Sequence, residues 1–275
     1  MEKYSLADLQ IIANDIRQDI IRMLKTSGSG HAGGSLGMAD IFTALYFNIL
    51  DHDPKNTDSN KKDKLILSAG HICPVLYASL ARAGYFPLAK LKTLRKLNSS
   101  LQGHPHNLSL AGVEVSAGPL GQGISQAVGF ALAAQMDKNK AQIFCVTSDG
   151  EHNEGQTWEA IMTAAKYRLG NLINIIDYNG IQIDGKTNDI MPLGNLKKKY
   201  KSFGWQVLEV NGHKMSEIIK TLKKAASYQK SPVAVIARTV LGKGVSFMEN
   251  QYTWHGKAPN AQEATKALEE LQTYA

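Results

Sequence analysis

Five runs of mostly apolar and β-branched residues constrain this chain more than anything else in it: KLILSAG (64–70), IFCVTSD (143–149), LINIIDY (172–178), WQVLEV (205–210) and PVAVIAR (232–238). Each has the length of a strand, and helical spacing fills much of the sequence between them. Strands that are apolar on both sides are covered on both sides, and strand–helix alternation makes neighbouring strands parallel. The expected fold is α/β, a parallel sheet with helices on both faces. Residues 1–275 read as a single domain, since no Pro/Gly/Ser-rich linker, charge block or internal repeat divides them.

The helices follow from periodicity. Leu6, Leu9, Ile12, Ile16, Ile20 and Met23 recur at helical spacing, which predicts an amphipathic helix over 5–25. A loop of small residues, SGSGHAGGSLG (27–37), separates it from a second helix through MADIFTALYFNIL (38–50). A polar turn over 52–63 then leads into the first strand. Further helices are expected in CPVLYASLARAGYF (73–86), after the glycine-rich turn of 116–138, in EGQTWEAIMTAAKYR (154–168), between the last two strands and at the C-terminus.

Composition narrows the function classes. With 43% hydrophobic and 20% charged residues, the chain reads as an ordinary soluble protein, and no apolar stretch approaches the length of a membrane span. The first residues are charged throughout and lack the apolar core of a signal peptide. Cys73 and Cys145 lie in apolar surroundings and read as buried free thiols, so a reducing cytoplasm is expected. The net charge of +7 comes from scattered lysines without any nucleic-acid motif, and a solvated basic face is the preferred reading.

Ligands of such sheets bind beyond the carboxyl ends of the strands, and the polar residues of interest cluster there. His71 follows one strand, Asp149 ends a second and Asn179 follows a third. A carboxylate and an amide at adjacent strand ends suit a hard cation such as Mg²⁺, which takes its remaining ligands from water and phosphate. The alternative is structural: Asp149 caps the following helix, and Asn179 takes the left-handed conformation before Gly180. GPLGQG (118–123) at a helix entry lets backbone N–H groups approach an anion, though tight packing accounts for such glycines equally well. It has neither the P-loop lysine nor the dinucleotide glycine spacing.

His31, His71, His104 and His255 each sit beside glycine, in GHAG, AGHIC, QGHPH and WHGK. Any one of them alone reads as a surface histidine. Together they predict a polar pocket where neutral imidazoles bind hydroxyls and move protons. Their spacing is not that of a zinc site. Glu154 and Glu159 either complement a helix N-terminus or form a buried carboxylate pair.

Read in order, GSGHAGGSLG, SAGHICPVLYA, LQGHPH, SAGPLGQGISQAVGFALA, SDGEHNEGQTWEA, LGNLINIIDYNGIQIDG and GKGVSFMENQYTWHGKAP resemble the transketolases over nearly the whole chain. The resemblance implies the thiamine-diphosphate-binding fold. Asp149, Asn179 and the main-chain carbonyl of Ile181 would hold the metal, Mg²⁺ with Ca²⁺ or Mn²⁺ as alternatives. His71, Gly118, Pro119, Leu120, Gly150 and Ile183 would contact thiamine diphosphate. His31, His104 and His255 would face the sugar, His255 also reaching the diphosphate. Glu154 and Glu159 match acids that link paired active sites across a subunit interface, and Glu154 is counted with the catalytic and cofactor-binding groups.

Two departures from the family pattern stand out. Ser148 replaces the first glycine of Gly-Asp-Gly, and Ala-Gly-Gly-Ser follows His31 where Pro-Gly-Ala-Pro is common. The pyrimidine-binding and C-terminal domains of full-length transketolases have no counterpart here, which implies a separate partner chain carrying them, with two copies of each chain in the assembly. The activity implied is transfer of a two-carbon ketol unit from a ketose or ketose phosphate to an aldose acceptor, with pentose and hexose phosphates as the default substrates. Two alternatives stand beside it: a subunit of a 2-oxo-acid dehydrogenase or deoxyxylulose-phosphate synthase type of enzyme, and a non-catalytic relative that keeps only the fold.

Overall fold

The five apolar runs form one sheet. In the computed structural model, which describes residues 4–57, 59 and 61–273, they are β1 (Lys64–Leu67), β2 (Ile143–Ser148), β3 (Leu172–Tyr178), β6 (Gln206–Asn211) and β7 (Val233–Arg238). Asp58 and Asn60 of the expected polar turn lie outside the described residues. The strand order is β1-β2-β3-β7-β6, and every pairing is parallel. A second, two-stranded antiparallel element, β4 (Ile181–Gln182) and β5 (Gly185–Lys186), forms a hairpin just beyond β3.

Side chains alternate between the two faces of the sheet and so feed two separate cores. Ile173 and Ile175 of β3 join the first core with α1 (Leu6–Ser27), α3 (Ala39–Ala44), α4 (Cys73–Arg82), α9 (Met215–Ser227) and α10 (Ala261–Thr273). Leu172 and Ile176 join the second, with α5 (Gln122–Met136), α6 (Gly155–Lys166) and α8 (Leu196–Ser202). Short helices α2 (Gly33–Gly37) and α7 (Thr187–Ile190) complete the set. Helices therefore cover both faces, as the unbroken apolar strands require.

Local chemistry explains where the long helices begin and end. Ser5 and Asp8 form a reciprocal capping box at the start of α1, and Gly28, left-handed at φ 66°, closes it through its N–H to the Leu24 carbonyl. Arg17, buried on α1, pairs with Asp40 of α3. His213, after β6, donates from Nδ1 to the same carboxylate at 2.9 Å while its Nε2 accepts from the Val240 N–H. Cys73 and Cys145 are buried and free, as expected.

Two expectations need correction. The small-residue loop 27–37 contains a helix, α2, and the helix expected over 38–50 gives way at Leu45–Ile49 to a π turn. Glycine stands at three of the five positions of α2 because those positions accept nothing larger. A Cβ on Gly33 would meet Leu241 at 2.5 Å, one on Gly34 would meet Ile72 at 2.7 Å, and one on Gly37 would meet the Val240 carbonyl at 2.8 Å.

Candidate active site

Where β2 ends, Asp149 turns its carboxylate back to the chain. It accepts from the Gly150 N–H at 2.7 Å and from the Gly180 N–H at 2.6 Å, so one side chain ties the ends of β2 and β3 together. The capping role is present: Asp149 heads the 3₁₀ turn Gly150–Asn153. The left-handed residue after β3 is Gly180, at φ 74°, and not Asn179 as the structural alternative expected. Glycine takes that conformation without strain, which leaves the Asn179 side chain to bond locally: its Oδ1 accepts from the Ile181 N–H at 2.9 Å and its Nδ2 donates to Asp177 at 3.0 Å.

Above these strand ends lies a cavity of about 290 Å³. Of the residues expected at the site, His31, His71, Gly118, Leu120, Gly150, Asn179, Ile181, Ile183 and His255 line it. Gly34, Ser148, Asp177 and Gln182 complete the wall. The β4–β5 hairpin carries Ile183 at its tip, 59% exposed, over the mouth. Three imidazoles meet inside: the His31 and His71 rings are 5.1 Å apart, His71 and His255 5.2 Å, and His31 and His255 6.0 Å. Burial pushes all three down in pKa, His31 to about 4 with help from neighbouring His255, Arg95 and His104, so they are neutral near pH 7. Nδ1 of His31 and Nδ1 of His255 are buried without a hydrogen-bond partner, the mark of groups that await a ligand.

The residues fit the implied cofactor. Asp149 and Asp177 are both buried, and neither pairs with a lysine or arginine among the described residues. Burial pushes Asp149 up to about 7, with the Asp177 charge adding to it, and burial raises Asp177 to about 6. A divalent cation would supply the missing positive charge. Among the described residues no group of three or more His, Cys, Asp or Glu gathers to hold a metal. The expected donors, one carboxylate, one amide and one main-chain carbonyl, are all oxygen ligands of the kind Mg²⁺ takes together with water and phosphate oxygens.

The glycine turn divides its labour. Gly118 opens onto the cavity, where an added Cβ would be 3.9 Å from the His104 ring, whereas Gly70, Gly121 and Gly123 serve close packing. His104 lines an adjacent cavity instead. Pro119 and Glu154 are exposed and do not line the site.

Within this chain Glu154 and Glu159 are not the buried pair offered as one reading of the sequence; both are exposed. The buried acid of that segment is Glu151, which sequence reasoning missed. It accepts from the Ser68 hydroxyl, from the Gly121 N–H at 2.6 Å and from the Ser148 N–H at 3.1 Å, joining the ends of β1 and β2 to the glycine turn. Ser148, the departure from Gly-Asp-Gly, fits: its Oγ accepts from the Glu151 N–H at 3.3 Å. Asp177 was also missed, though an acid in the apolar run LINIIDY, two residues before Asn179, is a signal. The Thr239 hydroxyl donates to its Oδ1.

Comparison with known proteins gives a consistent result. Residues 9–273 match the family described as transketolase, thiamine diphosphate binding domain. The 6-deoxy-6-sulfo-D-fructose transketolase subunit SqwG of Clostridium sp. (strain MSTE9) is 41% identical over 265 residues, covering 96% of each chain. An apulose-4-phosphate transketolase subunit of Actinobacillus succinogenes is 41% identical over 275 residues, 99% of each. Among solved structures, the transketolase of Campylobacter jejuni superposes with a TM-score of 0.92 at 36% identity. That match covers 98% of this chain and 43% of the other, so the chain spans less than half of that transketolase.

Proposed function

The chain belongs to the transketolase family through its thiamine-diphosphate-binding domain, and we propose that it is the cofactor-diphosphate half of a two-chain transketolase. Both relatives, matched over 96% and 99% of their length, are named as transketolase subunits, which supports a partner chain, and we assign the pyrimidine-binding domain to it. Asp149, Asn179 and the Ile181 carbonyl would hold Mg²⁺, and Gly118, Leu120, Gly150 and His71 would line the diphosphate and ring pocket. Thiamine diphosphate, when bound, supplies the electron sink for breaking a carbon–carbon bond next to a carbonyl.

The protein's part is orientation and proton transfer. Neutral His31 and His255, each with a buried Nδ1 lacking a partner, are set to bind sugar hydroxyls, and His104, in the adjacent cavity, extends that set. A histidine that takes the proton from the donor's C3 hydroxyl permits the C2–C3 bond to break. The two-carbon unit then passes to an aldehyde acceptor. Relatives named for 6-deoxy-6-sulfo-D-fructose and apulose-4-phosphate support a ketose with an anionic end as donor.

The observation that carries this reading is the neutral three-histidine cluster above a metal-ready pair of strand ends. Its test is calorimetric titration of thiamine diphosphate, with Mg²⁺, into the complex of this chain with its partner. Asp149→Ala removes the charged ligand and should weaken binding at least 100-fold while far-UV circular dichroism stays that of the wild type. Unchanged affinity would sink the assignment.

A further inference from the structure

His104 stands beside the cofactor cavity on a segment that has no helix or strand of its own. No repeating ladder fixes such a backbone, so its shape depends on where its carbonyl groups find donors. Several elements supply them. The Leu101 carbonyl accepts from the Arg95 N–H at 2.8 Å, and the Pro105 carbonyl accepts from the Ala117 N–H at 3.0 Å. Between these two, the Gln102 carbonyl accepts from the Tyr77 hydroxyl at 2.9 Å, and the Gly103 carbonyl accepts from the Cys73 thiol at 3.2 Å. The Arg95 guanidinium also reaches the Gly103 carbonyl, at 3.4 Å.

Tyr77 and Cys73 come from one place. Cys73 opens α4, and Tyr77 follows four residues later, one turn along the same face. Both are buried in the first core. Phenylalanine would fill the Tyr77 site as well, so packing does not account for the hydroxyl, and the Gln102 carbonyl does. Burial pushes the Cys73 thiol up to about 12, which keeps it protonated and a donor, though a weak one, at neutral pH. His71, just before Cys73 in the chain, lines the cofactor cavity. One short stretch therefore carries an imidazole into that cavity and grips the loop of a second imidazole beside it.

We propose that Tyr77, assisted by Cys73, is a positioning residue that holds the His104 imidazole at the distance from the cofactor cavity that sugar chemistry requires. The proposal rests on the ketol-transfer reading of His104 and concerns only how that ring is placed. Tyr77 lines neither cavity and acts through the loop. Without its hydroxyl, the Gln102 carbonyl is drawn toward water and the loop turns with it. A misplacement of about 1 Å at a reacting group can cost about 10²-fold in rate.

The first test needs no activity. The histidine ring signals of the full chain are recorded by NMR, with His104 assigned through His104→Gln. In Tyr77→Phe the His104 signal should shift and broaden while those of His31 and His255 stay near their wild-type positions. An unmoved His104 signal, or equal shifts in all three, overturns the proposal. The second test is a double-mutant cycle on ketol transfer in the complex with the partner chain. Tyr77→Phe should lower kcat/KM by about tenfold or more and leave the affinity for thiamine diphosphate, measured by calorimetry, unchanged. Added to His104→Ala, where the ring is already gone, it should cost nothing further. Cys73→Ala should follow the same pattern with a smaller loss, and Cys73→Ser, which keeps a donor, should recover part of it. A Tyr77→Phe loss of the same size in both backgrounds means that the hydroxyl serves some other group and overturns the proposal, as does a Tyr77→Phe complex of wild-type rate. If His104→Ala itself turns over normally, the sugar role of His104 fails and the positioning role fails with it. A wild-type complex inactive on every sugar refutes the ketol-transfer reading instead, and the ring signals still decide whether Tyr77 places His104.

Discussion

At the scale of single residues, histidines flanked by glycine have little to pack against, and three of the four set in such loops, His31, His71 and His255, line one cavity while His104 lines the next. Residues that act by joining elements give a weaker signal. Glu151 looks like any acid at the start of a helix, and His152, next to it, has no glycine neighbour to mark it. The His152 ring is buried in a hydrogen-bond chain whose direction the donors dictate. Nδ1–H donates to the Ser148 carbonyl at 2.8 Å, Tyr200 O–H donates to Nε2 at 2.7 Å, and Asn174 Nδ2 donates to the tyrosine oxygen at 2.8 Å. A second ring proton would face another donor. Burial accordingly holds His152 down to about 4. A folded pKa below the unfolded one means that this stabilisation is complete above about pH 6.5 and disappears as pH falls through 4, about 3 kcal/mol at most. Asp149 and Asp177, raised in the fold, act in the opposite sense and favour the metal-free fold at low pH. The difference between wild type and His152→Gln isolates the histidine: urea titrations should show the variant losing less stability from pH 6.5 to 4. Parallel pH curves would refute the relay.

Elements were legible where period and length agreed. The apolar runs are strands to within a few residues because a buried parallel strand tolerates little else. Helix α2 and the β4–β5 hairpin were missed because both are too short for periodicity to mark them. Helix α5 shows how context decides what a glycine means. A Cβ on Gly123 would come within 2.5 Å of the Ser68 Cα, backbone that cannot yield without moving β1. A Cβ on Gly129, in the same helix, meets nothing within 4 Å. Gly123→Ala should therefore cost about 1–3 kcal/mol from overpacking, whereas Gly129→Ala should add about 0.5–1 kcal/mol to the isolated chain through helix propensity. Chemical denaturation of the two variants checks the pair, and matching signs would refute the packing argument.

On the scale of the whole molecule, the outer side of α5 and α6 is the surface that makes least sense in a lone chain. Phe130 is 36% exposed, Met136 75% and Met162 56%, with Gly129 and Ala133 exposed beside them on a helix apolar on nearly every side. An apolar face of that kind calls for a cover, and in the proposed assembly a second copy of this chain supplies it. Glu154 and Glu159, exposed at the start of α6, belong to the same region. Their match to acids that span a subunit interface gains physical sense if a second copy of this chain seats there. In a two-fold contact each side chain counts twice. Phe130→Asp then removes about 2 kcal/mol of burial per copy, so the dissociation constant between copies should rise by roughly 10³. Light scattering of the wild type with its partner chain should give the mass of two copies of each, and that of the variant one copy of each. Ketol transfer should be absent from this chain alone, appear when the partner is added, and fall with the assembly in Phe130→Asp. A variant that keeps both mass and activity would leave the apolar face without a role and the symmetric assembly without support.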